Sequence, residues 1–119
     1  MKTLLKGLCC AGLLVGLSPI ASAADIQGVL MDKMCSMKAM KEGQQAAHMH
    51  TRECALMPDC QKSGYGVFTA DAKFISLDDA GNAKALAALK ASKKKEDLKV
   101  QVTGDVQGDT ITVASLKLL

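Results

Sequence analysis

LKVQVTGDVQGDTITV, residues 98–113, decides the fold. Leu98, Val100 and Val102 alternate with Lys99, Gln101 and Thr103. That two-residue period belongs to a strand with one face in a core and the other in water. Gln107-Gly108-Asp109 is turn chemistry. Ile111 and Val113 then alternate with Thr110 and Thr112 in a last strand. A lone hairpin is marginal in water, so the rest of the chain must supply more sheet.

Working outward, Asp25 to Asp32 reads as a first strand, with Ile26 and Leu30 on one face. Gly28 in its middle predicts a bulge or sharp coil. Gly64-Tyr65-Gly66-Val67-Phe68-Thr69 reads as a second strand and Lys73 to Leu77 as a third. Ala70-Asp71-Ala72 between them is of hairpin length. Asp78-Asp79-Ala80-Gly81-Asn82 can cap a helix. The Ala, Leu and Lys residues after it predict that helix over 83–92. Leu86 and Leu89 would face the core, with Lys84 and Lys90 in water.

The resulting order is strand, long insertion, strand, strand, helix, strand, strand. It is the order of the OB-fold, a five-stranded partly open barrel with a helix between its third and fourth strands. The expected class is mainly β with one helix. It is an OB-like five-stranded barrel with a Cys/His/Met-rich, partly helical insertion at 33–63 between strands 1 and 2. An α+β meander is the competing arrangement of the same elements.

The first 23 residues have the pattern of a signal peptide. Lys2 and Lys6 make a positive start, Leu8 to Leu17 an apolar centre, and Ala21-Ser22-Ala23 a cleavage site. The apolar stretch is short of the roughly 20 residues that a membrane span needs. The mature chain, 24–119, is expected as one domain in the periplasm or secreted, without a membrane span. Removing Lys2 and Lys6 leaves 13 basic residues against 12 acidic ones, which offers no field for nucleic acid. With Tyr65, Phe68 and Phe74 as the aromatic residues and no Trp, base-stacking surface is lacking too.

Both histidines, six of the seven methionines and every cysteine beyond the first ten residues lie between Met31 and Cys60. Thiolate, thioether and imidazole are soft or borderline donors, which select copper(I), zinc and similar ions. Residues 44–56 contain neither Pro nor Gly, and Pro58 would end a helix there. On such a helix His50, Cys54 and Met57 share a face. Cys60 follows after a turn, and Cys35 must return in space. Cys35, His50, Cys54 and Cys60 make a Cys₃His set, a composition known for four-coordinate zinc, though without a finger's C-x-x-C spacing. His48 would point away from the His50 face. Met37, Met40, Met49 and Met57 form a second tier of candidate ligands, and thioethers favour copper(I) over zinc. A Met stripe can equally be packing.

The cysteines have a second explanation. An exported domain of this size often carries a disulfide, and three cysteines permit one bridge and one leftover thiol. Cys35 with Cys54 or Cys60 would pin the ends of the insertion. Thiol–disulfide catalysis is the third reading, disfavoured by the missing C-x-x-C. Asp78-Asp79 reads as a cap or turn, no carboxylate pair suggests acid/base work, and neither a Gly-rich phosphate loop nor Gly-x-Ser-x-Gly is present, so an enzyme is not expected.

The chain resembles a group of small exported bacterial OB-fold-like domains of unknown function. The resemblance rests on Asp32-x-x-Cys35, on His50, Cys54 and Cys60, on Gly64 to Phe68, and on Val100 to Gly104. It implies a barrel and assigns no activity. A looser similarity links the chain to periplasmic copper-chaperone barrels. Those use Met, His and a Trp on the barrel strands, and this chain keeps its donors in the insertion, so no ligand transfers. The expected role is binding of copper(I) or zinc, with another envelope protein as a further partner. The alternative is a disulfide-stapled interaction module without metal.

Overall fold

The computed structural model describes residues 23–119. The signal peptide expected at 1–23 thus lies outside the described residues, Ala23 apart. Five strands form one mixed sheet: β1 (Ala24–Asp32), β2 (Tyr65–Phe68), β3 (Phe74–Leu77), β4 (Lys99–Gln107) and β5 (Thr110–Leu118). Five helices accompany them: α1 (Lys33–Glu42), α2 (Gln44–His48), α3 (Arg52–Ala55), α4 (Pro58–Ser63) and α5 (Asp79–Ala91). The chain is mainly β, as expected, but the single regular helix of the expectation becomes five. Four of them fill residues 33–63.

β1 is shared between two partners. Ala24 to Val29 pair with β4, and Val29 to Asp32 pair with β2, both antiparallel. β3 pairs antiparallel with β2 and parallel with β5, and β5 returns antiparallel to β4. The sheet therefore closes in the order β1-β2-β3-β5-β4, as a barrel. Closure gives every strand a neighbour on each side over part of its length, which shortens the free edges that an open sheet exposes.

Gly28 stands just before the point where β1 changes partner. A Cβ there would collide with the Phe68 carbonyl oxygen and crowd Val67. The register irregularity in the sheet falls elsewhere, between Thr103 and Gly104. Gly28 thus serves close approach of two strands rather than a bulge.

Leu30, Val67, Leu98, Val100, Val102 and Ile111 point into the barrel with no exposed surface, and Tyr65 and Leu89 join them. Each buried Leu or Ile side chain contributes roughly 1.5–3 kcal/mol. The other face of β1 is buried as well. Val29 and Met31 pack with Phe68 against Ala39 of α1 and Ala47 of α2. This explains why residues 29–32 are all buried, where simple alternation would leave every second one in water.

α5 begins four residues earlier than the sequence pattern predicts, because the Asp78 carboxylate accepts the Gly81 N–H as N-cap. Ala85 and Leu89 face the core, Leu86 is half-buried, and Lys84 and Lys90 are exposed.

The helix predicted through 44–56 is broken. α2 stops at His48, and α3 restarts after Thr51, whose backbone is extended (φ −94°, ψ 152°). Two interactions favour the break. The Thr51 hydroxyl accepts the Cys54 N–H at 3.1 Å, which starts a new helix. The Arg52 guanidinium donates to the Leu89 and Lys90 carbonyls at 2.6 and 3.0 Å, at the C-terminal end of α5. His50 and Cys54 therefore do not stand one turn apart on one helix, and the shared-face argument for them fails.

Gly28→Ala should destabilise the fold by about 1–3 kcal/mol, since the overpacked atom meets backbone. Urea unfolding of the reduced mature chain checks this: the midpoint should fall with little change in slope.

Candidate metal centre

Each of the three described cysteines occupies the third position of a helix. Cys35 follows the cap Asp32, Cys54 follows the cap Thr51, and Cys60 follows Met57 and Pro58. Three separate first turns thus aim their thiols at one place. The Sγ atoms of Cys35 and Cys54 are 3.9 Å apart, and the thiols of Cys35, Cys54 and Cys60 all lie within 4.8 Å of one another. Metal–sulfur bonds of about 2.3 Å put two sulfurs about 3.8 Å apart in a tetrahedron and about 4.0 Å apart in a trigonal plane. The observed separation fits both.

The supports are local. Lys33 N–H donates to the Gly64 carbonyl at 2.8 Å, closing the insertion at its base. The Tyr65 hydroxyl donates to the Ala55 carbonyl at 2.6 Å, holding α3 over the barrel. The Gln61 amide donates to the Leu56 carbonyl at 2.7 Å, and the Ser63 hydroxyl to the Cys60 carbonyl at 2.8 Å, which fix α4. Cys60 is buried, while Cys35 and Cys54 are half-buried.

A second group adjoins the first and shares one thiol. Asp32, Cys35 and His50 also offer donor atoms within 4.8 Å of one another. Asp32 is 0% exposed and His50 7%. Asp32 Oδ2 accepts the Cys35 N–H at 2.9 Å. Its Oδ1 lies 3.0 Å from His50 Nε2 as an ion-pair contact, and neither atom has any other polar partner. Two buried polar atoms that have only each other leave room for a further group to satisfy both. These two groups and their donor chemistry can hold a metal ion.

The expected set is therefore redistributed. Cys35, Cys54 and Cys60 come together. His50 joins Asp32 and Cys35 rather than Cys54 and Cys60. Asp32 was not among the expected ligands. Its signal in the sequence is Asp32-x-x-Cys35, where a capping residue at the end of a strand becomes buried once the helix folds back. His48 is exposed, with Nδ1 2.6 Å from Asp97 Oδ1. Met37, Met40, Met49 and Met57 are 52–63% exposed, as is Met34 at 50%, whereas Met31 is buried in the packing under α1. Met49 lines an open cavity of about 350 Å³ together with Cys35, His50 and Cys54, with Lys38 and Glu42 also at its wall.

The surroundings oppose ionisation of the Cys35 and Cys60 thiols. Burial pushes the Cys35 thiol well up, helped by the Asp32 charge and by Cys54. Burial and Asp32 push Cys60 up to about 11. Tyr65 rises to about 12 from the same two causes. For Asp32, burial acts upward but is outweighed by His50 and the Cys35 N–H, so the carboxyl sits below its ordinary range. Nucleophilic thiol catalysis needs the opposite, a lowered thiol pKa.

The chain matches no protein-family profile, no curated protein and no solved structure.

At pH 8 a thiol at about 11 is ionised to about one part in a thousand, against about a quarter for free cysteine. Iodoacetamide should therefore modify Cys60 in reduced, metal-free protein at least about tenfold more slowly than free cysteine, since the greater nucleophilicity of the rarer thiolate offsets part of the deficit. Peptide mass analysis over time checks this.

Asp32 also sets an acid limb. Its pKa is lower folded than unfolded, so its stabilisation is fully present above the unfolded value of about 3.9 and is lost as pH falls through the native value. Asp32→Asn keeps a capping side chain but should flatten this limb, as followed by thermal melts between pH 2 and 6 at roughly half-unit steps.

Proposed function

We propose that this chain is an exported OB-like domain that binds a soft transition metal, copper(I) in preference to zinc, for buffering, delivery or sensing. Three observations support the fold assignment. The closed order is β1-β2-β3-β5-β4, β3 and β5 pair in parallel, and α5 lies between β3 and β4. The signal-peptide pattern of residues 1–23 supports a periplasmic or secreted location.

The observation that carries the function is the convergence of three thiols from three helix starts, with the Cys35 and Cys54 sulfurs 3.9 Å apart and Cys60 within 4.8 Å of both. Three thiolates complete a trigonal copper(I) site, whereas zinc asks for a fourth ligand. The exposed methionines around the insertion favour the same metal, because thioethers bind copper(I) well and zinc poorly. Cys35, Cys54 and Cys60 are the ligands in this reading. Met49, at the cavity wall, is the thioether placed to receive the ion on its way in. Met37, Met40 and Met57 are further from that role, since they lie outside the cavity lining. The raised Cys35 and Cys60 thiols argue against nucleophilic thiol catalysis.

One observation favours a second reading. The Cys35–Cys54 contact of 3.9 Å needs only about 2 Å of closure to reach a disulfide bond. A bridge there would staple α1 to α3 and leave Cys60 as a thiol, in a domain that meets another envelope protein through its methionines.

Thiol counting on mature protein purified from the periplasm separates the two. The metal reading expects three thiols that react under denaturing conditions only after chelation. One reactive thiol throughout would overturn it. Copper(I) competition titration should then find Cys54→Ser/Cys60→Ser at least about a hundredfold weaker than the unmodified chain.

A further inference from the structure

We propose that Asp32, Cys35 and His50 form a second metal position, next to the thiol trio and sharing the Cys35 sulfur, which takes a borderline divalent ion of the zinc type. This deepens the metal-binding reading above and rests on it for the occupied trio.

The geometry comes first. Carboxylate oxygen, imidazole nitrogen and thiol sulfur lie within 4.8 Å of one another. Asp32 Oδ1 and His50 Nε2 are 3.0 Å apart. Two such donors on one tetrahedral ion, with bonds of about 2.0–2.1 Å, would lie about 3.3 Å apart. A small adjustment meets that value. Beyond this mutual contact, neither atom has a polar partner among the described residues. A shared cation would satisfy both. The other Asp32 oxygen is engaged by the Cys35 N–H, and that bond aims Oδ1 at His50. Such a hydrogen bond from the surrounding protein is how ligand orientation is commonly fixed.

The donor types point to the ion. Sulfur alone makes the first group, and one each of oxygen, nitrogen and sulfur makes the second. The first suits copper(I). The second is a mixed set that suits zinc and similar divalent ions. Three protein ligands leave one place for water, and His50 and Cys35 line the cavity through which water and ion would enter.

Charge balance favours a second ion once the first is bound. Cys35, Cys54 and Cys60 as thiolates, with Asp32 as carboxylate, bring four negative charges to a largely buried site. One copper(I) cancels one of them. Leaving three uncompensated in a poorly solvated region is strongly unfavourable. The Arg52 guanidinium does not relieve them, since it is committed to the Leu89 and Lys90 carbonyls. A proton on His50 would cancel one more, and a divalent ion two. Copper in the trio and zinc beside it should therefore bind with positive coupling, each easing the repulsion felt by the other.

The test uses the mature chain without oxygen, loaded with one equivalent of copper(I) and titrated with Zn²⁺ under native mass spectrometry. The expected product holds one copper and one zinc. His50→Ala, and His50→Gln as the variant closer in volume, should keep copper and weaken zinc at least about a hundredfold. Thermal melts confirm that each variant is folded. The Cys54→Ser/Cys60→Ser chain should lose copper and still bind one zinc through Asp32, Cys35 and His50. The proposal is overturned if the loaded chain takes up no zinc, if the His50 variants keep zinc at full affinity, or if they lose copper together with zinc. The last result would make His50 a ligand of a single Cys₃His site. Failure of the copper reading looks different: no variant or parent binds copper, while zinc still follows His50.

Discussion

Asp32 is a carboxylate with no exposed surface, and four parts of the structure meet at it. It is the last residue of β1, paired in register with Tyr65 of β2. One of its oxygens starts α1 by accepting the Cys35 N–H, and the other faces His50. Its charge contributes to holding the Cys35 and Cys60 thiols in their neutral form. A buried carboxylate survives only where hydrogen bonds or cations compensate its lost hydration. The strand end, the helix start and the histidine have to be in place together for Asp32 to be tolerated. That requirement ties the barrel to the insertion.

The insertion in turn completes the barrel. β1 changes partner near Gly28, and its second half presents apolar side chains to both sides. Leu30 enters the barrel, while Val29 and Met31 emerge on the outside and are covered by α1 and α2. Without that cover, two large side chains would face water beside Phe68. α1 ends at Gly43, whose positive φ of 95° is readily reached without a side chain, and the chain turns there into α2. The short helices that follow are fastened by polar contacts. The Asp97 N–H donates to the His48 carbonyl and the Arg52 N–H to the Lys95 carbonyl, at 2.9 and 2.8 Å. The donor segment is therefore braced against the barrel at both ends and in its middle.

The site that results is mixed in character. Burial holds Cys35 and Cys60 in their neutral form, yet Cys35 and Cys54 border an open cavity. A soft cation entering that cavity would displace protons and be held by sulfur, so that metal and proton compete for the same atoms. Methionines stand around the insertion in water rather than in the core. Exposed thioethers contribute little to packing, and their exposure leaves their sulfur available to a soft ion or to a partner surface.

Much of this architecture was legible along the chain. Alternation in 98–113 marks the hairpin of β4 and β5, the Asp78 region marks a helix start, and the Met31–Cys60 clustering marks the donors. These signals are local, since each is a period, a cap or a residue type. What the chain by itself did not disclose is which donors meet. An unbroken run without Pro or Gly reads as one helix, yet Thr51 capping and the Arg52 contact with α5 divide it. After that division His50 groups with Asp32 and Cys35. Residue composition determined that soft donors are present and that a small β scaffold holds them. Only the tertiary structure decided their grouping, because the α5 carbonyls that hold Arg52, and the Asp32 that faces His50, are remote in sequence and adjacent only after folding.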